Sequence, residues 1–192
     1  AFCLVSTMSS GTQDVKGLAA VLFRNKFLEE NYLNSVPRES QLQLKALLLE
    51  LMNSQNSTDF LKKLADVLVN LACLQEWSYE LLGIMGQWAQ SSLKEVTLYL
   101  FELATEYEDM MLVMKQNAGS VMSILWNALQ DSNYETKLAA AKTICSFLVG
   151  LGTEEEVLHY AGVLDHIVVI LTEALQQKTA PEHAIEALVS LS

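Results

Sequence analysis

Apolar residues recur at helical spacing between Trp77 and Tyr107, where a short polar turn separates two apolar arms. The first arm places its apolar positions three or four residues apart, at Trp77, Leu81, Leu82, Ile84, Met85 and Trp88. The second arm carries Val96, Leu98, Leu100, Phe101, Leu103 and Ala104. Ser92 with Glu95 three residues later predicts a capping box at the start of the second helix. Because neither arm can bury its apolar face alone, the pattern indicates a helical repeat unit with neighbours on both sides.

The same succession of apolar helices and polar breaks covers the rest of the chain. A first helix ends near Ser9, and a last helix starts at Pro181. Between them, outside the two arms, the spacing of apolar residues predicts helices over 14–30, 38–52, 57–73, 114–129, 134–148 and 154–177. Runs of alternating β-branched residues are absent, which favours an all-α fold.

Start and stop signals support these helices. Pro37 is placed to open the helix that follows it. Ser57, Thr58 or Asp59 can cap the 57–73 helix, and Thr153 with Glu156 predicts a second capping box. The glycines of 150–152 follow a helix rather than a strand, so they indicate a helix stop and not a phosphate-binding loop.

The first helices of successive pairs start 35 to 45 residues apart, near Asp14, Ser57, Ser92, Tyr134 and Thr179. This spacing is typical of HEAT repeats, with armadillo repeats as the nearest alternative, and is wider than that of a tetratricopeptide array. We therefore predict an all-α HEAT-repeat solenoid of antiparallel helix pairs, and a single array over 1–192. Both ends fall inside helical patterns, so we expect a fragment of a longer array. The predicted repeats are the second helix of repeat one at 1–9, then 14–53, 57–90, 92–130 and 133–177, and the start of repeat six at 179–192.

Charge and composition narrow the classes of partner. The chain of 192 residues has a formal net charge of −11 and 51% hydrophobic residues. An acidic chain repels phosphate backbones, so we expect no direct nucleic-acid binding and a basic protein partner instead. Three widely separated cysteines in apolar patterns, Cys3, Cys73 and Cys145, predict buried free thiols. No apolar run is long enough to span a bilayer, so we expect no membrane insertion.

No catalytic or metal-binding constellation is evident. His159 and His166 lie seven residues apart with Asp165 adjacent, but no third ligand or nucleophile accompanies them. We therefore expect no enzyme activity, no cofactor and no metal. Trp77, Trp88 and Trp126 are expected in core or inter-repeat packing, with an aromatic docking pocket as the lesser alternative.

Four segments carry a resemblance to a known family. The stretch Leu18–Lys26, the leucine-rich helix Gln41–Met52 and the helix Phe60–Ala72 precede Trp77 with its Leu81-Leu82 pair. In this order and spacing they resemble the N-terminal HEAT repeats of the importin-β superfamily, and most of all its importin-five or karyopherin-beta-three branch.

The resemblance implies a nuclear transport receptor that carries basic cargo through the nuclear pore and moves between cytoplasm and nucleus. It implies that the GTPase Ran contacts the second helices of the early repeats, with Gln41, Lys45 and Asn53 as candidate contacts. It also implies docking of Phe-Gly nucleoporins near repeats five and six, with the candidates Ile144, Phe147, Leu148, Ile185 and Leu188. The alternative is a HEAT-repeat scaffold subunit of a phosphatase or vesicle-coat complex without a GTPase switch.

Overall fold

The structure is a computed structural model that describes residues 2–27, 32–54 and 57–177. These residues form twelve helices and no strand. The chain divides into two compact units, Ala1–Trp77 and Ser78–Ser192. In the described part of the chain, no helix is long and apolar enough to cross a bilayer.

Unit 1 contains five helices, which are α1 (Phe2–Ser10), α2 (Gln13–Phe27), α3 (Tyr32–Ser35), α4 (Arg38–Asn53) and α5 (Thr58–Leu74). Helix α2 packs against α1 and α5, and α4 also packs against α5. Because α5 lies between two neighbours, almost all of its side chains from Phe60 to Ala72 are buried. An ion pair between Arg24 and the buried carboxylate of Asp66 joins α2 to α5.

Unit 2 contains seven helices, which are α6 (Ser78–Trp88), α7 (Lys94–Ala104), α8 (Glu108–Gln116), α9 (Ala118–Leu129), α10 (Tyr134–Leu151), α11 (Glu154–Leu158) and α12 (Ala161–Gln177). Helix α10 is central and packs against α7, α9 and α12. Its inward face is fully buried at Ala140, Ala141, Ile144, Phe147 and Leu148.

Within each unit, side-chain hydrogen bonds and ion pairs, here called polar ties, join residues that lie about one repeat apart in the sequence. In unit 1 the Arg24–Asp66 and Gln41–Gln75 side-chain contacts span 42 and 34 residues. In unit 2 the ties from Lys94 to Asp131, Lys115 to the Leu151 carbonyl and Tyr134 to the Ile170 carbonyl span 37, 36 and 36 residues. The Lys94 ammonium holds the pKa of the Asp131 carboxyl below its usual range. Each tie therefore joins one helix pair to the next along the chain.

Helix α4 starts directly after Pro37, as predicted, and of the three predicted side-chain caps two are confirmed and one is wrong. The Ser57 hydroxyl accepts a hydrogen bond from the Phe60 N–H at 3.4 Å, and the Thr153 hydroxyl accepts one from the Glu156 N–H at 3.3 Å. Ser92 does not cap α7, which starts at Lys94 without a side-chain cap. The reason is a tight turn just before it, in which the neighbouring Ser91 hydroxyl accepts from the Leu93 N–H at 3.1 Å.

Two long predicted helices are each divided in the structure. The predicted 114–129 helix breaks at Asn117, which ends α8 and starts α9, and its side chain donates to the Val113 carbonyl at 2.8 Å. The predicted 154–177 helix breaks at His159 and Tyr160, between α11 and α12. The helix stop at Gly152 is confirmed, since this residue caps α10 in a left-handed conformation with φ of 86°. The last residues of the predicted 14–30 helix, and Pro181 with the helix after it, lie outside the described residues.

The prediction that the cysteines are buried is correct for only one of the three. None of the three cysteines forms a disulfide bond; Cys3 is exposed, Cys73 is half-buried and only Cys145 is buried. Burial raises the pKa of the Cys145 thiol to about 12. Trp77 and Trp88 are buried as predicted, and Trp126 is half-buried with its ring edge-on to His166 at 4.9 Å.

Candidate functional site

A cleft of about 260 Å³ lies in unit 1 between the first half of α4 and the turn that follows α5. Two groups of residues line it. Helix α4 contributes the side chains of Arg38, Leu42 and Lys45, and the end of α5 with the turn after it contributes Leu74, Gln75, Glu76 and Trp77. Arg38, Leu42 and Lys45 recur at intervals of four and three residues, which places them on one face of the helix.

The turn after α5 is a Schellman motif, a standard way to satisfy the last carbonyls of a helix. The Trp77 N–H donates to the Ala72 carbonyl at 3.0 Å, and the Glu76 N–H donates to the Cys73 carbonyl at 3.3 Å. Glycine usually occupies the left-handed position of this motif, but here Glu76 does, with φ of 57°. Non-glycine residues in this conformation are strained, and such residues cluster at functional sites.

Trp77 forms the floor of the cleft. Its indole N–H donates to the Leu71 carbonyl at 3.1 Å, which fixes the ring, and the side chain is only 7% exposed. The Lys45 ammonium lies 4.3 Å from the ring centroid, within the range of a cation–π interaction. A cation is therefore held on the aromatic floor between α4 and the turn.

Of the three candidate GTPase contacts, two come together at this cleft. Gln41 borders it, since its amide N–H donates to the Val36 carbonyl and its carbonyl accepts from Gln75, each at 2.9 Å. Lys45 lies inside it. Asn53 is eight residues further along α4, about 12 Å away, where its side chain donates to the Leu49 carbonyl at 2.8 Å.

The candidate nucleoporin contacts are placed differently from the expectation. Ile144, Phe147 and Leu148 are all fully buried in unit 2, on the inward face of α10. A side chain that is already packed in the core offers no apolar surface to a partner, so these three residues serve core packing. Ile185 and Leu188 lie outside the described residues.

A second cleft, of about 320 Å³, lies in unit 2 between α9, α10 and α12. Its lining mixes apolar side chains with polar and charged ones, among them Lys137, His166 and Glu173. Beside it the Tyr134 hydroxyl donates to the Ile170 carbonyl at 3.0 Å, and burial together with Glu173 raises the pKa of Tyr134. The described residues contain no group of three or more His, Cys, Asp or Glu side chains that could hold a metal ion.

The cleft in unit 1 has the chemistry of a binding surface. Arg38 and Lys45 supply two cations, Glu76 supplies one anion, and Leu42 and Leu74 supply exposed apolar area. Sequence reasoning found Lys45 and Gln41, and assigned Trp77 to the core. It missed Arg38, Leu42 and Leu74, which the fold brings together from two separate segments. It also missed Glu76, because a left-handed position occupied by glutamate carries no glycine signal.

Comparison with solved structures identifies the class of the fold. The chain superposes on the crystal structure of Kap121p with a TM-score of 0.73 and 21% sequence identity, over 98% of this chain and 18% of that one. The matches to Kap121p bound to Nup53p and to the karyopherin Kap121p bound to the SUMO protease Ulp1p have TM-scores of 0.72 and 0.73, identities of 21% and 20%, and the same coverage. The fold is therefore the all-α HEAT-repeat solenoid of karyopherins, as predicted. The chain spans about a fifth of the length of the solved chains that it matches.

The family follows from the sequence itself. The sequence model described as "IPO5-like, TPR repeats" matches residues 56–192, and the chain belongs to this IPO5-like family of the importin-β superfamily. The predicted resemblance to the importin-five branch is thus confirmed. The description uses the TPR name for helix pairs whose spacing we assigned to the HEAT type. A search of curated proteins found no match.

Proposed function

We propose that this chain acts in a nuclear transport receptor of the importin-β type, which carries protein cargo through the nuclear pore and is regulated by GTP-bound Ran. The observation that supports this proposal is membership of the IPO5-like family over residues 56–192. The Kap121p structures, which include complexes with Nup53p and Ulp1p, agree with it at the level of the fold. Such a receptor moves between cytoplasm and nucleus and functions at the pore.

The charge of the chain suits a basic cargo. The formal net charge of −11 creates a negative potential that favours association with cationic partners and disfavours nucleic acid. The cargo-binding proposal therefore predicts association that becomes slower as the salt concentration rises.

The GTPase contact is proposed for the side of α4 that faces the cleft, where Gln41 borders the cleft and Lys45 lies inside it, and Asn53 lies further along the helix. Lys45 is the most informative of the three because its charge can be changed. The charge has a structural role too, since the ammonium stacks on Trp77. Loss of that cation–π contact costs about 0.5–2 kcal/mol, since Lys45 is half-buried. Circular dichroism of each variant therefore accompanies the binding measurement.

The deciding experiment is surface-plasmon binding of Ran, loaded with GTP or with GDP, to the immobilised chain. We expect the GTP form to bind and the GDP form to bind much more weakly. Lys45→Glu should weaken GTP-dependent binding, whereas Lys63→Glu, a matched half-buried lysine on α5, should not. Equal binding by both variants would remove Lys45 from the interface. No nucleotide-dependent binding by the wild-type chain would favour the scaffold alternative.

Docking of Phe-Gly nucleoporins is proposed for the region of repeats five and six. Since Ile144, Phe147 and Leu148 are buried, Ile185 and Leu188 are the remaining candidates for this contact. Binding of a Phe-Gly repeat peptide should be weakened by Leu188→Ser, with the exposed Val149→Ser on α10 as the comparison. An unchanged affinity in Leu188→Ser would remove this residue from the docking site.

A further inference from the structure

The cleft between α4 and the Schellman turn has an apolar rim. Leu42 is 55% exposed and Leu74 is 49% exposed, and these residues come from the two different sides of the cleft. Two leucines that face solvent across a concave surface can bury an apolar side chain between them. A volume of about 260 Å³ suits one or two side chains of an extended segment and is far too small for a folded domain.

The polar groups of the cleft are locally positive although the chain is strongly acidic. Arg38 and Lys45 outnumber Glu76 in the lining, whereas the whole chain has a formal net charge of −11. At physiological ionic strength the Debye length is about 8 Å, so the charges that line the cleft determine its preference more than distant ones do. Lys45 is also half-buried against Trp77, which strengthens its interaction with an anion that enters the cleft.

The arrangement of charge also sets an orientation. Arg38 and Lys45 both project from α4, whereas Glu76 belongs to the opposite wall and is fixed there by the left-handed turn. A carboxylate is attracted to the α4 wall and repelled from the turn. A basic segment is repelled by the two cations of the α4 wall and attracted only by the one anion of the turn, so it binds less favourably than an acidic one.

We propose that this cleft binds a linear acidic peptide segment of a partner protein, with an apolar side chain between Leu42 and Leu74 and a carboxylate against Arg38 and Lys45. The ligand differs in charge from the basic cargo of the proposed function, and the inference rests on the cleft alone. A chain that binds such a peptide but not GTP-loaded Ran keeps this inference and loses the transport proposal.

The test is fluorescence anisotropy of a labelled peptide that has aspartates on both sides of a central leucine, titrated with the 192-residue chain. Two control peptides replace the aspartates by lysines or the leucine by glycine. We expect the acidic peptide to bind and its affinity to fall as salt is added, and we expect both control peptides to bind more weakly. Absence of binding, or tighter binding of the lysine peptide, overturns the proposal.

Variants of the chain locate the binding site. Arg38→Glu and Lys45→Glu should each weaken binding by about fivefold or more, and Leu74→Asn should weaken it as well. Arg38 is exposed and starts α4, where an acidic residue suits the helix dipole, so Arg38→Glu tests the site without a risk to folding. Lys63→Glu is the control, since Lys63 lies on α5 about 16 Å along the helix from Leu74. An effect of Lys63→Glu as large as that of Arg38→Glu, or no effect of Arg38→Glu and Lys45→Glu, overturns the proposal.

Discussion

Glu76→Gly should stabilise unit 1, although it removes a charged side chain from the surface. Glu76 occupies the left-handed position of the turn after α5, with φ of 57°. This conformation costs an L-residue about 1–2 kcal/mol, because the Cβ atom crowds the following carbonyl oxygen. Glycine removes that crowding but adds freedom to the unfolded chain, which takes back about 0.4–1 kcal/mol. The free energy of unfolding should therefore rise by about 0.5–1 kcal/mol.

Urea denaturation followed by helical circular dichroism measures this change. With a slope of about 2 kcal/mol per molar urea, the midpoint should rise by about 0.4 M and the slope should stay constant. Glu50→Gly is the matched control, since Glu50 is an exposed residue inside α4. That substitution should lower the free energy of unfolding by about 1 kcal/mol, because glycine is a poor helix former.

A further variant separates the backbone from the charge. Glu76→Ala removes the carboxylate but keeps a Cβ atom in the left-handed conformation, so its midpoint should stay close to that of the wild type. A midpoint that rises as much in Glu76→Ala as in Glu76→Gly would assign the cost to the charge. A midpoint that falls in Glu76→Gly would show that the left-handed conformation carries no strain.

Three other substitutions and one labelling experiment test the described contacts. Ser57→Ala should lower the free energy of unfolding by about 1 kcal/mol because it removes a helix cap, whereas Ser92→Ala should change it little; equal midpoints in denaturation would contradict this difference. Tyr134→Phe should cost about 1 kcal/mol through the lost hydrogen bond to the Ile170 carbonyl, and an unchanged midpoint would show that this bond contributes nothing. A thiol reagent at pH 8 should label the exposed Cys3 quickly and Cys145 only after unfolding, because Cys145 is buried and its pKa is raised to about 12; rapid labelling of Cys145 in the native state would refute this prediction. The raised pKa also predicts that stability is constant below the unfolded-state pKa of Cys145, near 9, and falls as the pH rises from there toward 12.

The helical architecture could be predicted from the sequence because it depends on local patterns. The apolar spacing and the caps at Ser57 and Thr153 act within one or two turns of helix, and the structure bears them out. Ser92 shows the limit of such signals. It has the spacing of a capping box, but the turn formed by its neighbour Ser91 delays the start of α7 to Lys94.

The cleft could be predicted only in part because it depends on contacts between distant segments. Lys45 and Trp77 lie 32 residues apart, and nothing in either local pattern indicates that the ammonium stacks on the indole. The left-handed conformation of Glu76 could not be predicted for a different reason, since the residue that usually indicates a left-handed helix end is glycine. Phe147 was a candidate docking residue, but its side chain is fully buried. An apolar pattern alone does not distinguish the face of a helix that packs in the core from a face that binds a partner.

The spacing of the polar ties has a consequence for how the chain acquires its structure during synthesis. The ties described above close loops of between 34 and 42 residues, which is about one helix pair. The entropy lost on loop closure grows with loop length, so each of these ties can form early and without the help of distant segments. Chains rich in such local closures fold quickly. As this chain leaves the ribosome, each helix pair within a unit should dock on the pair made just before it, so that structure advances along each unit one repeat at a time.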